Sequence, residues 1–417
     1  MRHRWVICFL LFAGATVNYI DRQALAVLKP SLQQELGWSE VSYGNIVTAF
    51  QAAYAIGMLL VGRFIDRVGT RTGLAVTAAF WALATLAHAM VSSVVGFSGA
   101  RVALGLGEAG MFPAGGKAIA EWFPRRERSF AMALFNAGTN VGPIVCPMMA
   151  PWLVGSFGWR WTFVVMGALA LLWVGPWLAL YRAPERHAAV TRDDLLALRA
   201  DANVSSTKIP WRALLTHRQA WAILLGKLIS DPIWWLYLFW IPDFLHRNHG
   251  LDLRGLGPPL VAIYSLSLFG GLAGGWLSSW LMKRGWTTNA ARKTAMLLAS
   301  LAVLPILGAA RATSLWTAVV LVGVAVGAHQ AFSANLLTLA SDMFPVSSVA
   351  SVMGLGGFGG AIGGILIAQT AGRLLQVTKS YEILFVIPAL AYIVALGVIH
   401  ALAPRLAPAG PLEGDVT

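Results

Sequence analysis

Gly62-Arg63-Phe64-Ile65-Asp66-Arg67-Val68-Gly69-Thr70-Arg71 joins two long apolar runs, residues 41–62 and 73–93. Its glycines allow a sharp turn. Asp66 is placed to cap or pair at a helix end, and Arg63, Arg67 and Arg71 crowd positive charge into the connection. A helix needs about 20 residues to cross the hydrocarbon core. Two apolar runs of that length, joined by a basic turn, read as two membrane helices linked on the cytoplasmic side.

The rest of the chain repeats the pattern. It has 417 residues, 57% hydrophobic and only 12% charged, with a mean hydropathy of +0.67. A soluble domain carries roughly 25% charged residues, so this is an integral membrane protein held in a lipid bilayer. Twelve segments are expected to span: 5–28, 41–62, 73–93, 96–122, 129–154, 160–181, 219–245, 257–281, 292–311, 314–341, 348–374 and 381–402. The one long connection, 182–218, is polar and separates six helices from six. The expected division is therefore 1–181, a linker 182–218, 219–403, and a Pro-containing tail 404–417.

With both termini in the cytoplasm, 20 of the 31 Lys and Arg fall in inside loops and 7 outside. This asymmetry sets the orientation by the positive-inside rule, and an odd number of helices would scramble it. The net charge of +13 is scattered over short loops with no basic run, so it reads as topology and not as nucleic-acid binding. The N-terminus resembles a signal peptide, but it continues past residue 15 with no small-residue cleavage site and is expected to stay as a helix. Cys8 and Cys146 lie in apolar segments without metal or redox spacing. No metal, no organic cofactor and no catalytic residue is expected. Neither His-Glu-x-x-His nor Gly-x-Ser-x-Gly occurs, so an intramembrane enzyme is disfavoured.

Four charges interrupt the apolar segments: Asp21 and Arg22 in the first, Arg101 and Glu108 in the fourth. Each costs some ~2.5–3.5 kcal/mol at the bilayer centre even on insertion scales, and such residues usually mark a pathway for an ion, a proton or a charged solute. Arg101 and Glu108 are seven residues apart and share a helix face. Asn18 precedes Asp21 and Arg22 by about one turn. The plainer reading makes Asp21-Arg22 and Arg101–Glu108 structural ion pairs that brace the bundle.

The ten-residue turn resembles the Gly-x-x-x-Asp-Arg-x-Gly-x-Arg signature of the major facilitator superfamily. Asn18-Tyr19-Ile20-Asp21-Arg22, Arg101-Val102-Ala103-Leu104-Gly105-Leu106-Gly107-Glu108-Ala109-Gly110-Met111-Phe112-Pro113 and Glu121-Trp122-Phe123-Pro124 resemble its anion:cation symporter branch. Lys227-Leu228-Ile229-Ser230-Asp231-Pro232-Ile233-Trp234-Trp235, His329-Gln330-Ala331-Phe332-Ser333-Ala334-Asn335 and Ser341-Asp342-Met343-Phe344-Pro345 are similar to the hexuronate transporters of that branch. Glu121-Trp122-Phe123-Pro124 and Ser341-Asp342-Met343-Phe344-Pro345 also echo each other across the halves, as internal repeats do in secondary transporters.

The resemblance implies an all-α fold of twelve transmembrane helices in two six-helix bundles. It implies a proton-coupled symporter, expected to be a monomer, in a bacterial inner membrane, importing a hexuronate by alternating access. The alternatives are another organic anion (an aldonate such as galactonate, tartrate, or an aromatic carboxylate) and proton-driven efflux. Asp21 and Glu108 are expected to carry protons, and Arg22 and Arg101 to bind the substrate carboxylate, because the guanidinium fork pairs with it and stays charged. Gly62, Asp66, Arg67, Gly69 and Arg71 would form the gate.

Further polar contacts to the solute are expected from Tyr19, Tyr54, Asn136, Asn140, Lys227, Trp235, His329, Gln330 and Asn335. Lys227 and Asp231, four residues apart, read equally as an internal pair. His329 reads equally as a helix–helix contact. Lys117 is expected to pair with Glu121, one turn on. The glycine run from Gly354 to Gly364 is expected to serve close helix packing and not a nucleotide.

Overall fold

The protein is described by a computed structural model covering residues 3–123, 125–187, 190–191, 195, 214–344 and 346–407. Every regular element among these residues is helical. In chain order the α-helices are α1 (His3–Leu36), α2 (Glu40–Val68), α3 (Thr70–His88), α4 (Val94–Glu108), α5 (Met111–Trp122), α6 (Arg125–Phe157) and α7 (Trp159–Leu180). After the central segment come α8 (Arg218–His249), α9 (Gly257–Lys283), α10 (Thr288–Val303), α11 (Leu315–Met343), α12 (Val346–Thr378) and α13 (Glu382–Leu402). A 3-10 helix, Leu304–Arg311, extends α10.

Each expected segment is a helix, with α4 and α5 sharing the fourth. Nine helices among the described residues are long and apolar enough to cross a membrane. The other three segments are the 19-residue α3, the broken α4–α5 pair, and α6 with Pro143, Pro147 and Pro151 inside it. Most of the 182–218 linker and of the 404–417 tail lies outside the described residues.

Two differences from the expected segments matter. The fourth segment breaks at Ala109–Gly110, where Gly110 N bonds Gly107 O at 3.2 Å in a tightened turn. Glycine spacing at 105, 107 and 110 and the missing N–H of Pro113 explain the break. It leaves Glu108 as the last residue of α4. The first helix runs on to Leu36 through Pro30. Lys29, one residue past the expected end of the first segment, is thus in the helix and fully buried. At the signature turn, Gly69 caps α2 with its N–H on Ile65 O at 2.9 Å and takes φ +85°, a conformation that glycine adopts without steric cost.

The chain divides into two compact units, residues 1–205 with 238–261, and 206–237 with 262–417. The split falls inside α8, so its second half belongs to the first unit. In the first unit α1 packs on α6 and α7, α2 on α4, and α3 on α4 and α7. In the second, α10 packs on α11 and α13, and α12 lies against α11 and α13.

Lipid is as apolar as a leucine side chain, so these contacts gain little from the hydrophobic effect and rely on close approach. Glycines supply it. A Cβ at Gly142 of α6 would lie 2.6 Å from Tyr19 Cβ, and one at Gly105 of α4 would lie 2.6 Å from Phe50 O. The expected packing role of the Gly354–Gly364 run also holds, since a Cβ at Gly356 would meet Lys227 Cδ at 2.7 Å. Outward-facing side chains are large and apolar, among them Leu172, Phe269, Leu272 and Val394.

Gly105→Val is expected to destabilise the fold by about 3 kcal/mol, because overpacking here meets backbone that cannot rotate away. Gly99→Ala, with nothing within 4 Å of the new Cβ, should leave stability unchanged or slightly raised. Thermal unfolding of the two purified variants checks the contrast.

Candidate functional site

Helix α1 is buried without interruption from Asn18 to Lys29. A surface helix would show a polar face there, so every polar side chain in this stretch faces protein. Arg22 Nε donates to Glu108 Oε2 of α4 at 2.5 Å, with both side chains at 1% exposure or less. The Arg22 guanidinium also lies over the rings of Tyr19 at 4.6 Å, Tyr54 at 4.5 Å and Phe50 at 5.4 Å. These faces favour a desolvated cation. The pairing therefore differs from both pairs expected in the plainer reading. The ion pair joins two helices, and neither Asp21-Arg22 nor Arg101–Glu108 is the one formed.

The other two charges are held differently. Asp21 is 1% exposed, with the Thr85 hydroxyl beside it and the charges of Glu108, Arg101 and Arg22 within electrostatic reach. Both its carboxylate oxygens lie without a hydrogen bond among the described residues. Arg101 is equally buried, and its Nε, Nη1 and Nη2 likewise make none. Its guanidinium lies 5.8 Å from the Phe50 ring centroid. Glu108 Oε1 is also unbonded. Buried charges without hydrogen bonds are expensive, and a stability role would have paired them. Arg22 is committed to a carboxylate; the Arg101 guanidinium meets no protein acceptor among the described residues.

The remaining first-unit candidates surround this cluster unevenly. Tyr19 and Tyr54 touch Arg22 directly. Asn140 is buried and Asn136 is exposed, with its carbonyl accepting from Thr139 Oγ1 at 2.7 Å. Asn18 is fully buried with neither side-chain polar atom bonded. Sequence reading passed over Gln51, Thr85 and His88, all buried. Gln51 precedes Tyr54 by three residues and Thr85 precedes His88 by three, so helical spacing was the available signal.

In the second unit the plainer alternatives account for several residues. Lys227 Nζ pairs with Asp231 Oδ2 at 2.6 Å. His329 Nδ1 shares a hydrogen bond with Tyr392 OH at 2.8 Å and stacks on Trp234 at 5.5 Å. Trp235 is buried and Gln330 half-buried. Asn335 Nδ2 donates to Gly274 O at 3.1 Å and Ala331 O at 2.9 Å, while Arg292 Nη1 reaches its Oδ1 at 3.5 Å. Arg292 also pairs with Asp342 at 3.1 Å. Asn335 is thereby placed with the structural end of α11. The Tyr237 hydroxyl is buried and unbonded.

At the signature turn Arg67 is exposed, Gly62 has open space around it, and Arg71 donates to Leu178 O. The Asp66 side chain lies outside the described residues. The expected Lys117–Glu121 pair is replaced. Glu121 accepts from Thr70 Oγ1 at 2.9 Å and from Tyr181 OH, and Lys117 Nζ reaches Ile65 O at 3.5 Å. Glu121 and Asp342 thus tie the ends of corresponding helices in the two halves. Among the described residues no group of His, Cys, Asp and Glu is arranged to hold a metal.

Nine helices among the described residues that are long and apolar enough to cross a membrane, with a buried inter-helix ion pair, describe a multi-pass membrane protein. The chain belongs to the Major Facilitator Superfamily, whose family profile matches residues 11–368. It is 32% identical over 391 residues to the hexuronate transporter of Escherichia coli K12, covering 92% of this chain and 90% of that one. It is 27% identical over 428 residues to a D-galactonate transporter of Escherichia coli, covering 100% and 96%. Among solved structures, a bacterial homologue of the human lysosomal transporter Spinster superposes with a TM-score of 0.77 over 97% of both chains at 18% identity.

Removing one member of a buried ion pair leaves the other charge stranded, at a cost of about 3–5 kcal/mol. Arg22→Gln should therefore lower the unfolding midpoint sharply, and the double variant Arg22→Gln/Glu108→Gln should recover most of the loss. Thermal unfolding of both single variants and the double closes this cycle.

Proposed function

We propose that the chain is a proton-coupled symporter importing a hexuronate-like sugar-acid anion by alternating access. One observation carries the reading: Arg101 is buried, and among the described residues its guanidinium meets no protein acceptor, in the same cluster as the Arg22–Glu108 ion pair. The hexuronate relative, matched over nearly the whole chain, supports the substrate class.

Protonated Glu108 no longer holds Arg22 by charge. Two guanidiniums then face one anionic substrate, and the carboxylate of a sugar acid fits the paired N–H geometry. When Glu108 loses its proton it competes for Arg22 and favours release. Asp21 plays the corresponding part for Arg101. Protonation and substrate thereby favour different balances of outward and inward states, the condition for either to bias the motion. Tyr19, Tyr54, Asn136, Asn140, Lys227, Trp235, His329 and Gln330 are the side chains proposed to contact the polyol. Asn335 would support this set through α11. Gly62, Asp66, Arg67, Gly69 and Arg71 would act at the cytoplasmic turn. The charge asymmetry of the loops supports both termini in the cytoplasm of a bacterial inner membrane, and no assembly beyond the monomer is needed.

A second substrate reading has its own support, since the D-galactonate relative spans the whole chain. It changes the sugar acid and leaves the coupling scheme intact.

Uptake into proteoliposomes under an inward proton gradient tests both levels. Asp21→Asn and Glu108→Gln should lose proton-driven accumulation and keep substrate exchange; unchanged pH dependence in both sinks the coupling scheme. Arg101→Gln should raise the half-saturating concentration about 10- to 100-fold, the loss of a charge-assisted pair of bonds worth about 1.5–3 kcal/mol. Competition by glucuronate, galacturonate and galactonate ranks the substrates.

A further inference from the structure

Helix α3 ends on a buried imidazole. His88 is 0% exposed. Its ring stacks on Phe163 of α7 at 5.0 Å and meets Phe97 of α4 edge-on at 5.6 Å. Its Nδ1 lies 2.8 Å from Ala84 O. A carbonyl only accepts, so Nδ1 carries the hydrogen and the neutral ring keeps its lone pair on Nε2. Nε2 is buried and bonds nothing among the described residues. Packing and tautomer thus fix one unused acceptor in one place.

The register of α3 on α4 brings that acceptor to the level of Arg101. A Cβ at Gly110, just past α4, would lie 2.5 Å from Thr77 Oγ1, and one at Gly107 would lie 2.7 Å from Trp81 N. The contacts advance by a turn along α3 as they retreat by a turn along α4, so the two helices run antiparallel. His88 lies two turns beyond Trp81, and two turns back from Gly107 is Ala100, the neighbour of Arg101. Phe97, against which His88 packs, is one turn from Arg101 on the same face of α4. The Arg101 charge is within electrostatic reach of the ring. Thr85, one turn before His88, stands beside Asp21.

We infer that His88 is a positioning residue for Arg101: its Nε2 is the neutral acceptor to which the guanidinium turns between substrates, and from which the substrate carboxylate takes it. The two groups are unbonded as they stand, and rotation about the arginine side-chain torsions joins them. The other groups within electrostatic reach of Arg101 are Glu108, Tyr43, Asp21 and Arg22. Either carboxylate would hold the cation by charge as well as by hydrogen bonds. An imidazole accepts one bond and brings no charge, whereas a substrate carboxylate accepts two parallel bonds, so the substrate displaces the imidazole without a proton. Arg22 has the opposite partner, a carboxylate, and is released by protonation in the proposed scheme. The indole N–H groups of Trp38 and Trp159, also buried and unbonded, are rival donors for Nε2; they are neutral, and a charged donor makes the stronger bond. The inference rests on the anion-binding reading of Arg101.

Uptake kinetics separate positioning from packing. His88→Phe keeps an aromatic ring against Phe97 and Phe163 and removes the acceptor; His88→Gln restores an acceptor. His88→Phe is expected to raise the half-saturating sugar-acid concentration about 3- to 10-fold at neutral pH, with the maximal rate and unfolding midpoint unchanged, because Arg101 then turns to Asp21 or Glu108. The difference from the parent should close as the pH falls and those carboxylates take up protons. His88→Gln should stay within about twofold of the parent.

The nitrogen resonances of isotope-labelled histidine, recorded on the protein in liposomes, give a reading that needs no uptake. The His88 Nε2 signal, identified by its loss in His88→Phe, should move in Arg101→Gln and again when a sugar acid is added to the parent. Parental half-saturation in His88→Phe at every pH, or an Nε2 signal unmoved by Arg101→Gln, overturns the inference. Equal losses of uptake and of unfolding midpoint in His88→Phe and His88→Gln make the ring a packing residue and overturn it too. Failure of every sugar acid to be taken up overturns the substrate reading and leaves the Arg101→Gln spectrum to decide the contact.

Discussion

The ion pair between Arg22 and Glu108 sets the terms for the rest of the first unit. A guanidinium and a carboxylate inside a hydrocarbon-spanning bundle cannot be left to lipid, so the helices that carry them must meet. That need brings the Arg22 side chain of α1 to the end of α4. It also explains the company the pair keeps: Tyr19, Tyr54 and Phe50 wrap the cation in aromatic faces, and the break at Ala109–Gly110 ends α4 at the residue that receives the bond. Asp21 and Arg101 sit in the same cluster without equivalent bonds. The asymmetry between a bonded pair and an unbonded one is what the proposed binding role of Arg101 rests on.

Much of this was legible in the chain. Apolar runs of about 20 residues and the bias of Lys and Arg among loops were enough to place twelve segments. The four charges were visible because composition makes any ionisable group in such a run conspicuous. Their pairing was hidden. Spacing along one helix indicates which residues share a face, as for Arg101 and Glu108. It says nothing about which neighbouring helix supplies a closer partner. Arg22 won that competition because α1 presents it to the end of α4.

Lys29 was hidden for another reason. Proline usually ends a helix at the preceding residue, so Pro30 made Lys29 look like a loop cation. Burial of Leu32 and the bonds of Gln33 carry the helix on to Leu36, and tertiary contact overrides the local signal. Asn335 shows the converse. Its amide suits a polyol, but the carbonyl of Gly274 lies close enough to take its donor, because glycine lets α9 approach α11. Lys227 and His329 similarly have protein partners that sequence spacing allowed without requiring.

Two kinds of helix contact now separate cleanly. Where helices touch through glycine, as α1 on α6, α2 on α4 and α12 on α8, backbones approach so closely that no side chain intervenes, and the attraction is dispersion between matched surfaces. Such contacts are lost if they slide, so they belong to seams that stay shut. Where helices touch through charge, as α1 on α4 at Glu108, the partners are strong donors and acceptors that water or a substrate anion can replace one for one. A protein that moves a solute needs both kinds. Among the described residues, glycine marks the closest backbone contacts and the Arg22–Glu108 pair marks the contact at which the proposed proton coupling would act.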